Sequence, residues 1–193
     1  MKVRVVALAT GWVSLQDLGL SLSVNWLSTL AFAVGWLALM LGYSPVADRI
    51  ATRFVAKPPT LGAFRALQQS RTKLILGIVV AWVLGGVLEE VVFRGIVLSS
   101  TEALASTWLA GPLAAGLAIC VAAAGAGIIH LYQGPRAVII VTQLSVLFGL
   151  LFVLSGHNLL AVILCHGLYD TVAFIRFALG KSKYSKRGLL GLR

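Results

Sequence analysis

The chain has 193 residues, of which 59% are hydrophobic and 11% charged, with a formal net charge of +10. A soluble domain of this size carries about 25% charged residues, so the composition excludes an ordinary soluble globule and points to an integral membrane protein. Lys and Arg fall in two blocks flanking apolar segments, not in a stripe beside aromatic readers, which sets aside nucleic acid and suits a lipid bilayer with anionic headgroups.

Residues 2–13 join a short basic start to about nine apolar residues, too short to span and only weakly like a cleavable signal; residues 3–20 fit an extra interfacial or partial helix. Five candidate spans follow, each near the ~20 residues that a bilayer core requires. They are residues 24–43, ended by Ser44-Pro45, then 74–98, 111–131, 137–155 and 158–179. Pro58-Pro59 breaks the first loop. After it, Leu61, Phe64 and Leu67 alternate with Arg65, Gln68 and Arg71, which suits either a short helix on the membrane surface or a solvated basic loop. Cys120 and Cys165 both lie in apolar stretches and read as small hydrophobes, with no disulfide. The fold expected is all-α: a polytopic transmembrane helix bundle of about five spans plus an interfacial helix, in a single integral membrane domain over residues 1–193.

Charge orients the bundle. The loop 45–73 carries Arg49, Arg53, Lys57, Arg65, Arg71 and Lys73 against one acid, Asp48. The tail carries Lys181, Lys183, Lys186, Arg187 and Arg193, and Arg136 sits in the turn between the third and fourth spans. Five spans put all three segments on one side, expected to be cytoplasmic. Only Lys2 and Arg4 cut against that. The other side holds Glu102 and a loop residue, His157, read as facing solvent. Arg176 is expected to snorkel toward the cytoplasm. The expected location is the inner membrane, multi-pass, with the C-terminus inside.

Two of the six acidic residues are adjacent within an apolar span, Glu89 and Glu90, with Arg94 following. An intramembrane charge costs roughly 2.5–3.5 kcal/mol on insertion scales, so three within six residues need partners or a wet cavity. Glu90 and Arg94 share a helix face as an i, i+4 pair, which fits both structural support and catalysis. Glu89 points about 100° away and is left for another helix, and a free carboxylate there suits general acid–base work. His130 ends the third span after Gly125-Ala-Gly, where small residues allow close helix approach; taken alone it also fits a side chain at the interface. His166 and Asp170 share a face of the fifth span, as a packed pair or as part of a site. Three apolar spans each offering inward polar groups argue for one shared cavity. Such a set suits hydrolysis, with a glutamate taking a proton from water, a metal site, or a proton path. The helical H-E-x-x-H signature is absent, so no cofactor is required, and a divalent metal such as zinc is allowed.

Glu89-Glu90-Val-Val-Phe93-Arg94 fits E-E-x-x-x-R, His130 fits the end of F-x-x-x-H, and His166-Gly-Leu-Tyr-Asp170 fits H-x-x-x-[N/D]. In this order, over about residues 74–180, they resemble the CPBP family of intramembrane proteases, which contains type II CAAX prenyl endopeptidases and bacteriocin-processing, Abi-type proteins. The resemblance implies a helical core around a conical cavity, water activated by Glu89 with His130, support from Glu90 and Arg94, and His166 and Asp170 near the oxyanion. It does not decide between a metal-dependent and a glutamate peptidase. Two positions depart from the pattern: Ala126 stands where the second motif has Phe, and Asp170 stands where prenyl proteases have Asn. An ionised Asp cannot donate to an oxyanion, so Asp170 is expected to orient His166, and a prenylated substrate is not assumed. The function expected is an intramembrane endopeptidase acting on a membrane-associated peptide or protein; the alternative is a non-catalytic binding or immunity protein of the same family, and a small transporter ranks third.

Overall fold

The computed structural model describes residues 19–20, 24–182 and 184. The basic, apolar start at residues 2–13, most of the helix expected within 3–20, and Lys183, Lys186, Arg187 and Arg193 lie outside them.

Five helices are each long and apolar enough to cross a membrane: α1 (Trp26–Phe54), α2 (Arg71–Ala105), α3 (Gly111–Gln133), α4 (Pro135–Leu154) and α5 (Leu159–Ala178). Among the described residues the regular elements are all helical, and the chain is a multi-pass membrane protein. Local chemistry marks the ends. Asn25 accepts from the Ser28 amide at 3.1 Å at the start of α1, Ser70 from the Lys73 amide at 3.2 Å at α2, and Asn158 from the Ala161 amide at 3.3 Å at α5; each satisfies an amide that the helix leaves without a partner. Pro135 opens α4, where its missing N–H costs nothing.

Large apolar side chains such as Leu27, Leu84, Leu113 and Leu154 are exposed, as they are when lipid is the solvent. The interior mixes large side chains such as Met40, Leu98, Leu151 and Phe152 with small residues where helices approach closely. Ala114, Ala118, Ala122 and Ala126 of α3 are buried. A Cβ on Gly127 would fall on Thr142 Oγ1 of α4, and one on Gly149 would meet Ile119 at 3.0 Å. Without a hydrophobic drive between helices in lipid, such close approach supplies the packing energy.

The two ends of the bundle differ. At one end, Thr60 donates its amide to the Gln133 carbonyl at 2.8 Å, Gln68 donates to the Phe177 carbonyl at 3.0 Å, and Arg136 pairs with Asp48 at 2.6 Å. The basic loop, the α3–α4 turn and the end of α5 therefore meet there. At the other end, Leu159 donates its amide to the Gly19 carbonyl and His157 pairs with Glu102 at 2.8 Å.

Several expectations change. Ser44-Pro45 does not end the first span, because α1 runs through Pro45 to Phe54. The proline removes one intrahelical bond, but the next turns are pinned to α4 by Asp48–Arg136 and by Gln143, which donates to the Ala47 carbonyl at 3.2 Å. Arg136 is accordingly a buried partner of Asp48. The segment after Pro58-Pro59 forms a short 3-10 helix, Gly62–Gln68, and its apolar side chains turn to protein: Leu67 is buried and Phe64 lies 5.4 Å from the Phe174 ring. His157 is not a free loop residue; besides Glu102 it meets Phe152 edge-on at 5.0 Å.

Candidate active site

The site begins with an irregularity in α2. The stretches Trp82–Glu89 and Val91–Leu98 are π-helical, with regular geometry only at Glu90 between them. Widened turns of this kind inside α-helices often mark functional sites. Here they run beside α5 with almost no side chain between the backbones. A Cβ on Gly86 would lie 3.6 Å from Gly167 Cα, and one on Gly167 would strike the Trp82 indole. Trp82 secures the contact by donating Nε1–H to Thr171 Oγ1 at 3.0 Å.

That approach brings Glu90 to His166. Glu90 is fully buried and Arg94 nearly so. Arg94 Nη1 donates to Glu90 Oε1 at 3.1 Å, while Nε faces Oε2 at 3.1 Å as a Coulombic contact out of line for a hydrogen bond. Oε1 also receives His166 Nδ1 at 2.5 Å. An ionised carboxylate only accepts, so Nδ1 carries the hydrogen and Nε2 turns away, toward Asp170 Oδ2 at 3.6 Å. Asp170 is thus within Coulombic reach of His166 but is not its hydrogen-bond partner; the side chain that fixes the imidazole is Glu90, from another helix.

Glu89 occupies different surroundings from its neighbour, as the angular offset anticipates. It is half-buried, and among the described residues no hydrogen bond or ion pair engages it. His166, His130, Glu90 and Asp170 all lie close enough to act on it electrostatically. His130 sits in the 3-10 turn that ends α3, Ile129–Gln133. Its Nδ1 donates to the Ala126 carbonyl at 2.8 Å, and among the described residues Nε2 has no hydrogen bond. The acceptor is backbone, so the Ala in place of Phe at 126 does not disturb it. Phe93 supplies bulk nearby: a Cβ on Gly125 would meet it at 3.1 Å.

Side-chain exposure rises from 0% at Glu90 to 13% at His166 and 23% at Asp170, so the cluster opens on the Asp170 side. Gly85 keeps that opening clear, since a Cβ there would stand 2.9 Å from Asp170 Oδ2 and 3.5 Å from His166 Nε2. A separate open cleft of about 450 Å³ lies along α1, lined by Pro45, Asp48, Arg49, Thr52 and Arg53; none of the six motif residues lines it. Among the described residues no three His, Cys, Asp or Glu side chains are grouped to hold a metal ion.

Sequence reasoning overlooked four residues that shape the site: Gly85, Trp82, Ser145 and Phe148. Ser145 accepts from Arg94 Nη2 at 2.7 Å through Oγ and at 3.0 Å through its carbonyl. Phe148 stacks on His166. The sole hint was Ser145 itself, a polar residue following Thr142 and Gln143 in an otherwise apolar stretch.

A family model described as Type II CAAX prenyl endopeptidase Rce1-like matches residues 71–172. The match covers more than half of the chain and takes in all six motif residues, and the chain belongs to this family of membrane proteases. No match was found among curated proteins or among solved structures.

Proposed function

We propose that the protein is an intramembrane endopeptidase that hydrolyses a peptide bond in a membrane-associated protein or peptide. One observation carries the reading: of two adjacent glutamates, Glu90 is consumed by Arg94 and His166, while half-buried Glu89 has no hydrogen bond or ion pair among the described residues and lies within electrostatic reach of His130 and His166. A carboxylate so placed can take a proton. In the proposed step Glu89 removes a proton from water whose other hydrogen is held by His130 Nε2. The water oxygen attacks the scissile carbonyl carbon. The oxyanion forms on the His166 side, where the imidazole in its protonated form donates from Nε2, the nitrogen left unengaged by Glu90. Glu89 then passes its proton to the leaving nitrogen, the C–N bond breaks, and a carboxylate and an amine depart. Glu90 and Arg94 hold His166; Asp170 borders the opening. We further propose that the basic end faces the cytoplasm, because lysines and arginines from three segments collect there.

The test is direct. The purified protein in liposomes is given a peptide ending in a farnesylated Cys-aliphatic-aliphatic-X sequence, and the same peptide without the lipid. Mass spectrometry should find one internal peptide bond cut, with water added across it. Cleavage of both peptides would mark the lipid as dispensable. Intact peptides under conditions where the protein is folded would overturn the reading.

A further inference from the structure

The fourth helix carries no motif residue, yet two of its side chains touch the motif cluster. Ser145 and Phe148 are i, i+3 on α4 and so share a face; both are 4% exposed. Ser145 takes Arg94 Nη2 with its hydroxyl and its carbonyl. Phe148 touches two cations or potential cations: its ring stacks on the His166 imidazole at 4.6 Å and 25°, and the Arg94 guanidinium carbon stands 5.3 Å from its centroid. A guanidinium has five donors in a fixed fork, so pinning Nη2 from α4 fixes the plane in which Nη1 reaches Glu90. Glu90 Oε1 in turn holds His166 Nδ1. The chain of contacts runs from Ser145 through Arg94 and Glu90 to His166, with Phe148 packed against both Arg94 and His166.

We infer that Ser145 and Phe148 are positioning residues of the active site: α4 sets the orientation of Arg94 and His166, and with it the direction in which His166 Nε2 points. The kinetic half of this inference rests on the endopeptidase reading; the spectroscopic half does not.

The chain has three histidines, so the ¹⁵N spectrum of the full-length protein labelled at histidine is simple. Among the described residues Ser145 makes no hydrogen bond to His166, and the hydrogen-bonded route between them runs through Arg94 and Glu90. Ser145→Ala should shift the His166 ring-nitrogen resonances and leave those of His157, at the other end of the bundle, in place. Ser145→Thr, which keeps the hydroxyl, should restore them. In peptide cleavage, Ser145→Ala and Phe148→Leu should each lower kcat by about ten- to a hundredfold, the cost of a small misplacement of a reacting group, with KM little changed. Wild-type His166 resonances in Ser145→Ala, or wild-type kcat in both variants, would overturn the inference. If the wild-type protein cuts neither peptide, the endopeptidase reading falls and the nitrogen spectra decide the positioning role by themselves.

Discussion

Adjacent glutamates with opposite situations are the central feature at the scale of the residue. Glu90 has lost all contact with solvent and is compensated by Arg94 and His166. Removing one partner of such a buried pair leaves the other charge uncompensated, which costs about 3–5 kcal/mol. Glu90→Gln should therefore lower the melting temperature in detergent sharply, whereas a variant of half-buried Glu89 should not; equal melting of Glu90→Gln and wild type would contradict the assignment. Gly85 yields a second expectation. In Gly85→Ala the new methyl group sits 2.9 Å from Asp170 Oδ2, so Asp170 must move and the opening narrows. Peptide cleavage should fall while thermal stability holds, and unchanged kinetics would show that this space is not used. The six motif positions were legible because charge and imidazole are rare in apolar spans and their spacing is local. Their pairing was not. The Glu90–His166 contact joins residues 76 positions apart, and nothing in the sequence tells it from the local His166–Asp170 pairing that i, i+4 spacing suggests.

For the elements, hydropathy marked five spans because each must bury about 20 residues in lipid. It failed where helices extend past the bilayer core. Pro45 reads as a stop, since proline breaks the hydrogen-bond ladder, but tertiary contacts carry α1 past it. The π-helical stretches of α2 were equally invisible, because they answer to the packing of Gly86 on Gly167 and of Trp82 beside Thr171. Asp48 and Arg136 tie α1 to α4 beyond the proline. Asp48→Ala would leave the buried Arg136 without its carboxylate partner, and a loss of about 3–5 kcal/mol is expected, read as reduced thermal stability. Replacing both residues by apolar ones of similar volume should recover much of it, and a double variant no better than the single one would contradict a charge-burial origin.

For the whole molecule, an apolar exposed girdle surrounds a packed core, and among the described residues ion pairs occur in three places: the motif cluster, Asp48–Arg136 at the basic end, and Glu102–His157 at the opposite end. Charge asymmetry was readable from sequence because topology signals are compositional. The gathering of the loop, the α3–α4 turn and the end of α5 at one end follows from an odd number of spans. Single cysteines placed at Arg53 and at Glu102, in a chain with Cys120 and Cys165 replaced by serine, should differ in labelling by a membrane-impermeant maleimide on intact cells. The Glu102 position should react and the Arg53 position should not. The reverse pattern would invert the bundle.

Every chemical statement about the site depends on Glu89 acting as the proton acceptor within a cluster drawn from α2, α3 and α5. The most direct measurement is peptide cleavage by Glu89→Gln in liposomes, beside wild type and matched for folded protein. Loss of a positioned general base costs about 10²- to 10⁴-fold, and we expect a fall in kcat of that size with the melting temperature unchanged. Cleavage by the folded variant at the wild-type rate would contradict the mechanism.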